Sequence, residues 1–235
     1  MSSRGGLASL IPGFDPRRMP LEGRDHDLPK VASERLSLAA LRERLAHPPH
    51  WQPELTGDPP WRPVGTPREA AVLVPLVAHA SGTTVLLTER TAHLRGHAGQ
   101  VAFPGGGCDP EDGGPVDTAL RETQEEVGLT RDRIEVVAQL PQYLTGSGYR
   151  VTPVVGIVEP GFELQPDSFE VAEVFEVPLE FLMDPRHHER RRIVHGMIDR
   201  SFYAMPWRDE RHGREHFIWG ATAAMLRNLY RLLSA

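Results

Sequence analysis

Three glutamates within five residues (Glu122, Glu125 and Glu126) lie in the stretch Arg121-Glu122-Thr123-Gln124-Glu125-Glu126-Val127-Gly128-Leu129, and this stretch constrains the fold most. At 100° per residue, a helix from Val116 to Val127 gathers Val116, Ala119, Leu120, Thr123 and Val127 into one arc that has to be buried. Glu122 and Glu126 then fall one turn apart on another face, with Glu125 beside them. Gly128 is the expected stop, since glycine takes the left-handed C′ conformation without steric cost. Each like-charged i,i+3 or i,i+4 pair costs about 0.2–0.5 kcal/mol, and negative charge near a helix C-terminus opposes the macrodipole. A cation held among the carboxylates reverses both penalties. An all-oxygen donor set suits a hard ion such as Mg²⁺ or Mn²⁺. The alternative is a solvated acidic face on which Arg121 partly neutralises Glu125.

The chain around this helix has 235 residues, 40% of them hydrophobic and 25% charged, which is ordinary for a globular protein of one large domain or one domain with an appendage. A net charge of −6 argues against wholesale nucleic-acid binding, though a local basic pocket is compatible with it. The single cysteine, Cys108, excludes an internal disulfide framework and fits a reducing compartment. No apolar run approaches the ~20 residues that span a bilayer, and residues 1–30 lack the apolar segment of a signal peptide. A cytoplasmic protein without a membrane anchor is the expectation.

Residues 1–68 read as an N-terminal arm, a short helix over Leu38–Ala46 capped by Ser37, and a proline-rich strap. The strap, 47–68, holds seven prolines together with Trp51 and Trp61, whose rings are expected to tuck into apolar grooves. The regular domain is expected over 69–235. Ala70–Ala78 and Thr83–Thr88 predict a hairpin turned at Ser81-Gly82; a glycine-containing loop (91–100), a strand at Val101–Phe103 and the turn Pro104-Gly105-Gly106-Gly107 follow. Asp117 or Thr118 is placed to cap the acidic helix. Further strands are predicted at Ile134–Leu140, Val151–Val158 and Val174–Val177, then a short helix at Pro178–Leu182. A late hairpin (Ile193–Ile198 with Phe202–Met205) and a helix over Gly220–Leu233 close the chain. Strands before, between and after helices predict an α/β sandwich with a mixed β-sheet. The basic run Arg186-His187-His188-Glu189-Arg190-Arg191-Arg192 reads as a solvated turn, with contact to an anionic group as the alternative.

Gly107, a spacer and Arg121-Glu122-x-x-Glu125-Glu126-x-Gly128-Leu129 resemble the signature of the Nudix hydrolases. The resemblance implies a Nudix-like α/β/α sandwich and metal-dependent cleavage of a nucleoside diphosphate linked to another group. The family's spacing expects a loop-bracing glutamate eight residues before Arg121, where Gly113 stands; Glu111 and Asp112 immediately precede it, and a loop insertion would restore a carboxylate. Upstream, Leu87-Thr88-x-Arg90, Arg95, Gly99-Gln100 and Phe103-Pro104-Gly105-Gly106 resemble the additional motif of the coenzyme A pyrophosphatase branch, with Thr91 a minor departure. The segments Glu170-Val171…Pro178-Leu179 and Ile218-Trp219-Gly220 are also similar to that branch, whereas residues 1–60 are outside its pattern.

Residue by residue, the resemblance and the helical geometry agree on Glu122 and Glu126 as metal ligands. Glu125 follows as a third ligand or a base, and the Gly106 or Gly107 carbonyl as a further ligand. Gly105 and Gly106 let main chain approach a substrate. Arg90 and Arg95 suit phosphate oxygens, including a 3′-phosphate; a solvated basic loop is the alternative for them, and His93 and His97 are weaker candidates. Glu170 is preferred to Glu173 as general base. The implied reaction is hydrolysis of coenzyme A, or a derivative, to 3′,5′-ADP (adenosine 3′,5′-bisphosphate) and 4′-phosphopantetheine with Mg²⁺ or Mn²⁺. A Nudix hydrolase for NADH or ADP-ribose, or a non-catalytic nucleotide sensor, is the alternative. A homodimer is implied by family habit alone.

Overall fold

The computed structural model describes residues 11, 13–59, 65–93, 99–196, 198–210 and 212–235. The arm contributes a short strand, β1 (Leu21–Arg24), before helix α1 (Leu38–Ala46), which Ser37 caps by accepting the Ala40 N–H. A long hairpin of β2 (Arg68–His79) and β3 (Gly82–Arg90) follows, then the short strands β4 (Val101–Ala102) and β5 (Gly105–Gly107). The acidic helix is α2 (Pro115–Val127), and β6 (Ile134–Gln139), β7 (Tyr143–Leu144) and β8 (Tyr149–Val158) come after it. Strand β9 (Val171–Pro178) leads into the single turn α3 (Leu179–Leu182). The chain closes with β10 (Glu189–His195), β11 (Ile198–Asp209), β12 (Arg214–Trp219) and α4 (Gly220–Ser234).

The main sheet is mixed. β2 and β8 run parallel, from Arg68 opposite Tyr149 to Val77 opposite Val158, while the other pairings are antiparallel. Alternation along β2 and β3 separates two apolar faces. Ala71, Leu73, Val77 and Leu86 meet Ala119, Leu120 and Val127 of α2. Val74, Leu76, Val85 and Leu87 face the larger core with α1, α3 and α4. Helices on both faces of a mixed sheet make the α/β/α sandwich. A second sheet, in the order β1-β10-β11-β12, packs at its β11 and β12 side against α4.

The ends of α2 follow its sequence only in part. Gly128 closes it at φ 75°, and a side chain there would also press on the Gln165 backbone. At the other end the cap is Gly114, with Pro115 in the first turn and no side-chain cap, so neither Asp117 nor Thr118 has that role. Gly105–Gly107 is strand rather than turn, because its pairing is set by β2 and not by its own propensity. β9 starts at Val171, ahead of the expected Val174, and β12 adds a strand beyond the late hairpin. Arg190, Arg191 and Arg192 belong to β10 rather than to a solvated turn; Glu22, Asp25, Glu189 and Asp199 neutralise them.

The strap lies on the domain. Glu54 binds Arg227 and Arg231 of α4, Asn228 holds both the N–H and the carbonyl of Leu55, and Asp58 donates its N–H to Leu144 at 2.7 Å. Trp51 packs against the main core. Trp61 lies outside the described residues.

Candidate functional site

The hairpin of β2 and β3 is paired only near its turn, from His79 opposite Gly82 to Leu76 opposite Val85. Beyond that the strands part. β4 pairs with Thr88 and Glu89 of β3, β5 pairs with Ala70, Ala71 and Val72 of β2, and Leu73 donates its N–H to Pro104 O at 2.9 Å. The segment 101–107 therefore fills the fork, where glycine is required twice. Gly105 has φ 152°, and a Cβ on it would come within 2.5 Å of Val72 Cα and closer still to Ala71 O. A Cβ on Gly106 would meet the Glu122 carboxylate, 2.5 Å from Cδ and 2.7 Å from Oε1.

Helix α2 lies under this fork. Glu126 is buried; its Oε2 accepts the Gly105 N–H at 3.1 Å and its Oε1 lies 3.3 Å from the Arg90 guanidinium. Burial pushes the Glu126 carboxyl up to about 7, against the opposing pull of the Gly105 N–H and Arg90; Glu122 and Glu170 add to the rise. Burial likewise raises Glu122, whose Oε1 accepts from Arg121 at 3.0 Å. Glu125 is exposed and pairs with Arg121 at 3.0 Å.

Glu170 reaches the cluster from a loop sewn to the end of α2. Gln165 and Asp167 donate their N–H groups to Val127 O and Glu126 O, and Thr91 donates to Glu170 O. The Glu170 carboxylate lies 3.5 Å from Arg90, so one guanidinium stands between Glu126 and Glu170. Between Glu89 and Arg90 the register of β3 against β9 slips by one residue. Glu173, the less preferred candidate base, pairs with Arg214 and lies with Glu89 and the buried His216 in a separate cluster in which Arg214 bridges the two carboxylates.

Of the two acids just before Gly113, Asp112 is held against the acidic helix. Its carboxylate binds the Arg121 guanidinium twice, at 2.9 Å each, and accepts the Thr118 hydroxyl at 2.7 Å and the Asp109 N–H at 2.9 Å. These donors, Arg121 first, hold the Asp112 pKa well below the usual carboxylate range. Arg121 also donates to Gly107 O at 3.2 Å, which ties the glycine strand to α2. Sequence spacing left Glu111 and Asp112 equally placed; the signal that separates them is the Thr118 and Arg121 pair on one helix face.

Of the predicted residues, the structure brings Glu122, Glu126, Glu170, Arg90, Gly105 and Gly106 together. Arg95 and His97 lie outside the described residues. His93 packs edge-on against Phe169, with ring centroids 4.8 Å apart, and Cys108 is half-buried. Beside the glycine strand opens a cleft of about 330 Å³ whose lining includes Arg90, Gly105–Gly107, Tyr149, Arg200 and Trp219. Nothing local in the sequence distinguishes Arg200, which lines this cleft, from other strand arginines. Among the described residues, no helix is long and apolar enough to cross a membrane.

Comparison with known proteins matches residues 67–196 to the NUDIX domain. A protein of Pectobacterium atrosepticum named "Uncharacterized Nudix hydrolase NudL" is 43% identical over 181 residues, covering 75% of this chain and 88% of its own length. Its namesake in Photorhabdus laumondii is 42% identical over 172 residues, covering 73% and 88%. Among solved structures, a C. elegans Ap4A hydrolase binary complex is 22% identical with a TM-score of 0.41, covering 48% of this chain and 81% of that one.

Proposed function

The chain belongs to the Nudix family, and from that premise we propose that it hydrolyses the diphosphate of coenzyme A or a coenzyme A derivative. As a Nudix hydrolase it acts on a nucleotide derivative, and the family typically uses divalent ions such as Mg²⁺ or Mn²⁺. The narrower substrate is supported by one observation. Arg90, from the upstream motif that resembles the coenzyme A branch, lies between Glu126 of the helix motif and Glu170 of the late loop.

The residues present fit a hard divalent cation. Burial raises both Glu122 and Glu126, and neighbouring carboxylates raise them further, a cost that a cation among them removes. Gly106 leaves open the space against the Glu122 carboxylate that a Cβ would fill. In this reading Glu122 and Glu126 hold the ion, with Glu125 and the Gly106 carbonyl as further oxygen donors. Such an ion, when bound, lowers the pKa of water and masks phosphoryl charge.

The chain's own groups do the rest. Arg90 and Arg95 bind phosphate oxygens, and Gly105 and Gly106 admit the diphosphate close to main chain. Glu170 takes the proton of the attacking water, with Glu125 the other candidate for that role. The water oxygen bonds to phosphorus, and the bridging P–O bond of the diphosphate breaks to give 3′,5′-ADP and 4′-phosphopantetheine. Residues 1–68 form an arm and strap that support a hydrolase domain at 69–235.

The test is product analysis with coenzyme A, NADH and ADP-ribose side by side, with and without EDTA, on wild type and Glu126→Gln. Coenzyme A is expected to be cleaved best, EDTA to abolish turnover, and the variant to lose at least about 100-fold in kcat. Preference for NADH or ADP-ribose over coenzyme A overturns the substrate assignment.

A further inference from the structure

Glu89 of β3 and Glu173 of β9 stand directly opposite each other in an antiparallel pair, where like charges repel. Two residues along, the same face carries Leu87 opposite Phe175, both part of the main core. From the second sheet, β12 brings His216 over this pair, its ring stacked on Phe175 with centroids 3.7 Å apart. One donor atom from each of Glu89, Glu173 and His216 lies within 4.8 Å of the other two. None of the three belongs to the cluster of Glu122, Glu126 and Glu170.

His216 is placed as a ligand is, not as a hydrogen-bonded core histidine. Its side chain is only 1% exposed, and among the described residues its Nδ1 has no hydrogen-bond partner. That nitrogen lies 3.6 Å from Glu89 Oε2, and Nε2 lies 4.0 Å from Glu173 Oε1, both too long for a hydrogen bond. Two ligands of one tetrahedral ion, at bonds of about 2.0–2.1 Å, sit about 3.4 Å apart, close to the Nδ1 to Oε2 spacing. Arg214 offsets the charge of both carboxylates, donating to the two Glu89 oxygens at 3.0 and 3.1 Å and pairing with Glu173. Its contact with Glu173 lacks hydrogen-bond geometry, so Glu173 Oε2 is a second buried atom at this cluster without a hydrogen bond among the described residues. Arg214 is half exposed and begins β12 beside Gly213, so its guanidinium can swing into water.

We propose that Glu89, Glu173 and His216 form a second metal site, for a divalent transition ion of the Zn²⁺ class, and that Arg214 swings out as the ion enters. An imidazole with two carboxylates suits Zn²⁺, with water as fourth ligand, whereas Mg²⁺ prefers oxygen donors alone. The two sites therefore select different ions. An ion bound here removes the repulsion across β3 and β9 and fastens the main sheet to the second one. It does so where β3 slips register between Glu89 and Arg90, next to the residue that stands between Glu126 and Glu170. The assignment is independent of the substrate.

Calorimetric titration of the chelator-stripped full chain with Zn²⁺ tests it, on a background of Glu122→Gln with Glu126→Gln that removes the helix site. This background is expected to bind a single equivalent of Zn²⁺ and to melt several degrees higher with it. Adding Glu173→Gln is expected to weaken binding at least about 100-fold. Adding Arg214→Gln instead removes the competing cation and is expected to tighten binding several-fold. A purely structural ion-pair cluster gives the opposite result for Arg214→Gln, a lowered melting temperature that Zn²⁺ does not restore. That result overturns the proposal, as does a background variant that binds no Zn²⁺. Binding that Glu173→Gln leaves unchanged also overturns it, and assigns the ion to surface histidines. If Glu173→Gln does not fold, the direction of the Arg214→Gln effect decides alone.

Discussion

Replacing Gly106 with alanine separates catalysis from folding. The new Cβ would lie 2.5 Å from Glu122 Cδ, whereas carbon atoms in ordinary contact sit about 3.5 Å apart, so the carboxylate has to retreat by about 1 Å. Glu122 is the end of a flexible side chain on the open side of α2, and it can move without disturbing the core. The cost therefore falls on the site: a displacement of this size is worth about 100-fold in rate where geometry is demanding. Gly105→Ala is the control with the opposite outcome. Its Cβ would press on the Ala71 and Val72 main chain, and its φ of 152° is one that side-chain-bearing residues rarely adopt, so β2 or β5 has to shift. Each variant is assayed by thermal melting and by turnover at saturating Mg²⁺. The expected result is a wild-type melting temperature with kcat down about 100-fold for Gly106→Ala, and a melting temperature several degrees lower for Gly105→Ala. A Gly106→Ala enzyme that melts like wild type and keeps its kcat within about threefold would refute the placement of Glu122 in the catalytic machinery.

Other perturbations probe the surrounding groups. Arg90→Ala removes the cation between Glu126 and Glu170 and is expected to lower kcat/KM about 100-fold; a loss below about threefold contradicts its phosphate role. Asp112→Asn is expected to lower both melting temperature and activity by loosening Arg121, whereas Gly113→Glu brings no gain, because Asp112 already holds Arg121. His188 supplies a pH test. Burial pushes its pKa down to about 4, with its Nε2 bonded to Leu182 O and its Nδ1 accepting from Arg227. Between that value and the ordinary 6.5 the unfolded chain binds more protons than the native one, so the neutral ring's contribution is fully present above pH 6.5 and is lost toward pH 4. At pH 5 the loss relative to pH 7 comes to about 2 kcal/mol. Urea unfolding at both pH values should show that loss in wild type and a smaller one in His188→Asn; matching losses would remove His188 as the cause.

What could be read from residues alone was what repeats within a single element. The 3.6-residue period of α2 gave its buried face, its acidic face and its glycine stop, and the apolar runs gave most strands and the sandwich class. The two motifs also named Arg90, Gly105, Gly106, Glu122 and Glu126, and the separate late segment at Glu170-Val171 named Glu170. Tertiary structure decided which of these meet. Glu170 reaches Glu126 because Gln165 and Asp167 bond to the last turn of α2, and Arg90 reaches both because β2 and β3 part to admit β4 and β5. Asp112 was separable from Glu111 only by its contacts with Thr118 and Arg121, and Arg200 was separable from other strand arginines only by the cleft. The physical reason is the range of the signal. Periodicity and capping act over a few residues, whereas strand pairing and loop docking join residues far apart in the chain, and a single sequence carries no local mark of its distant partners.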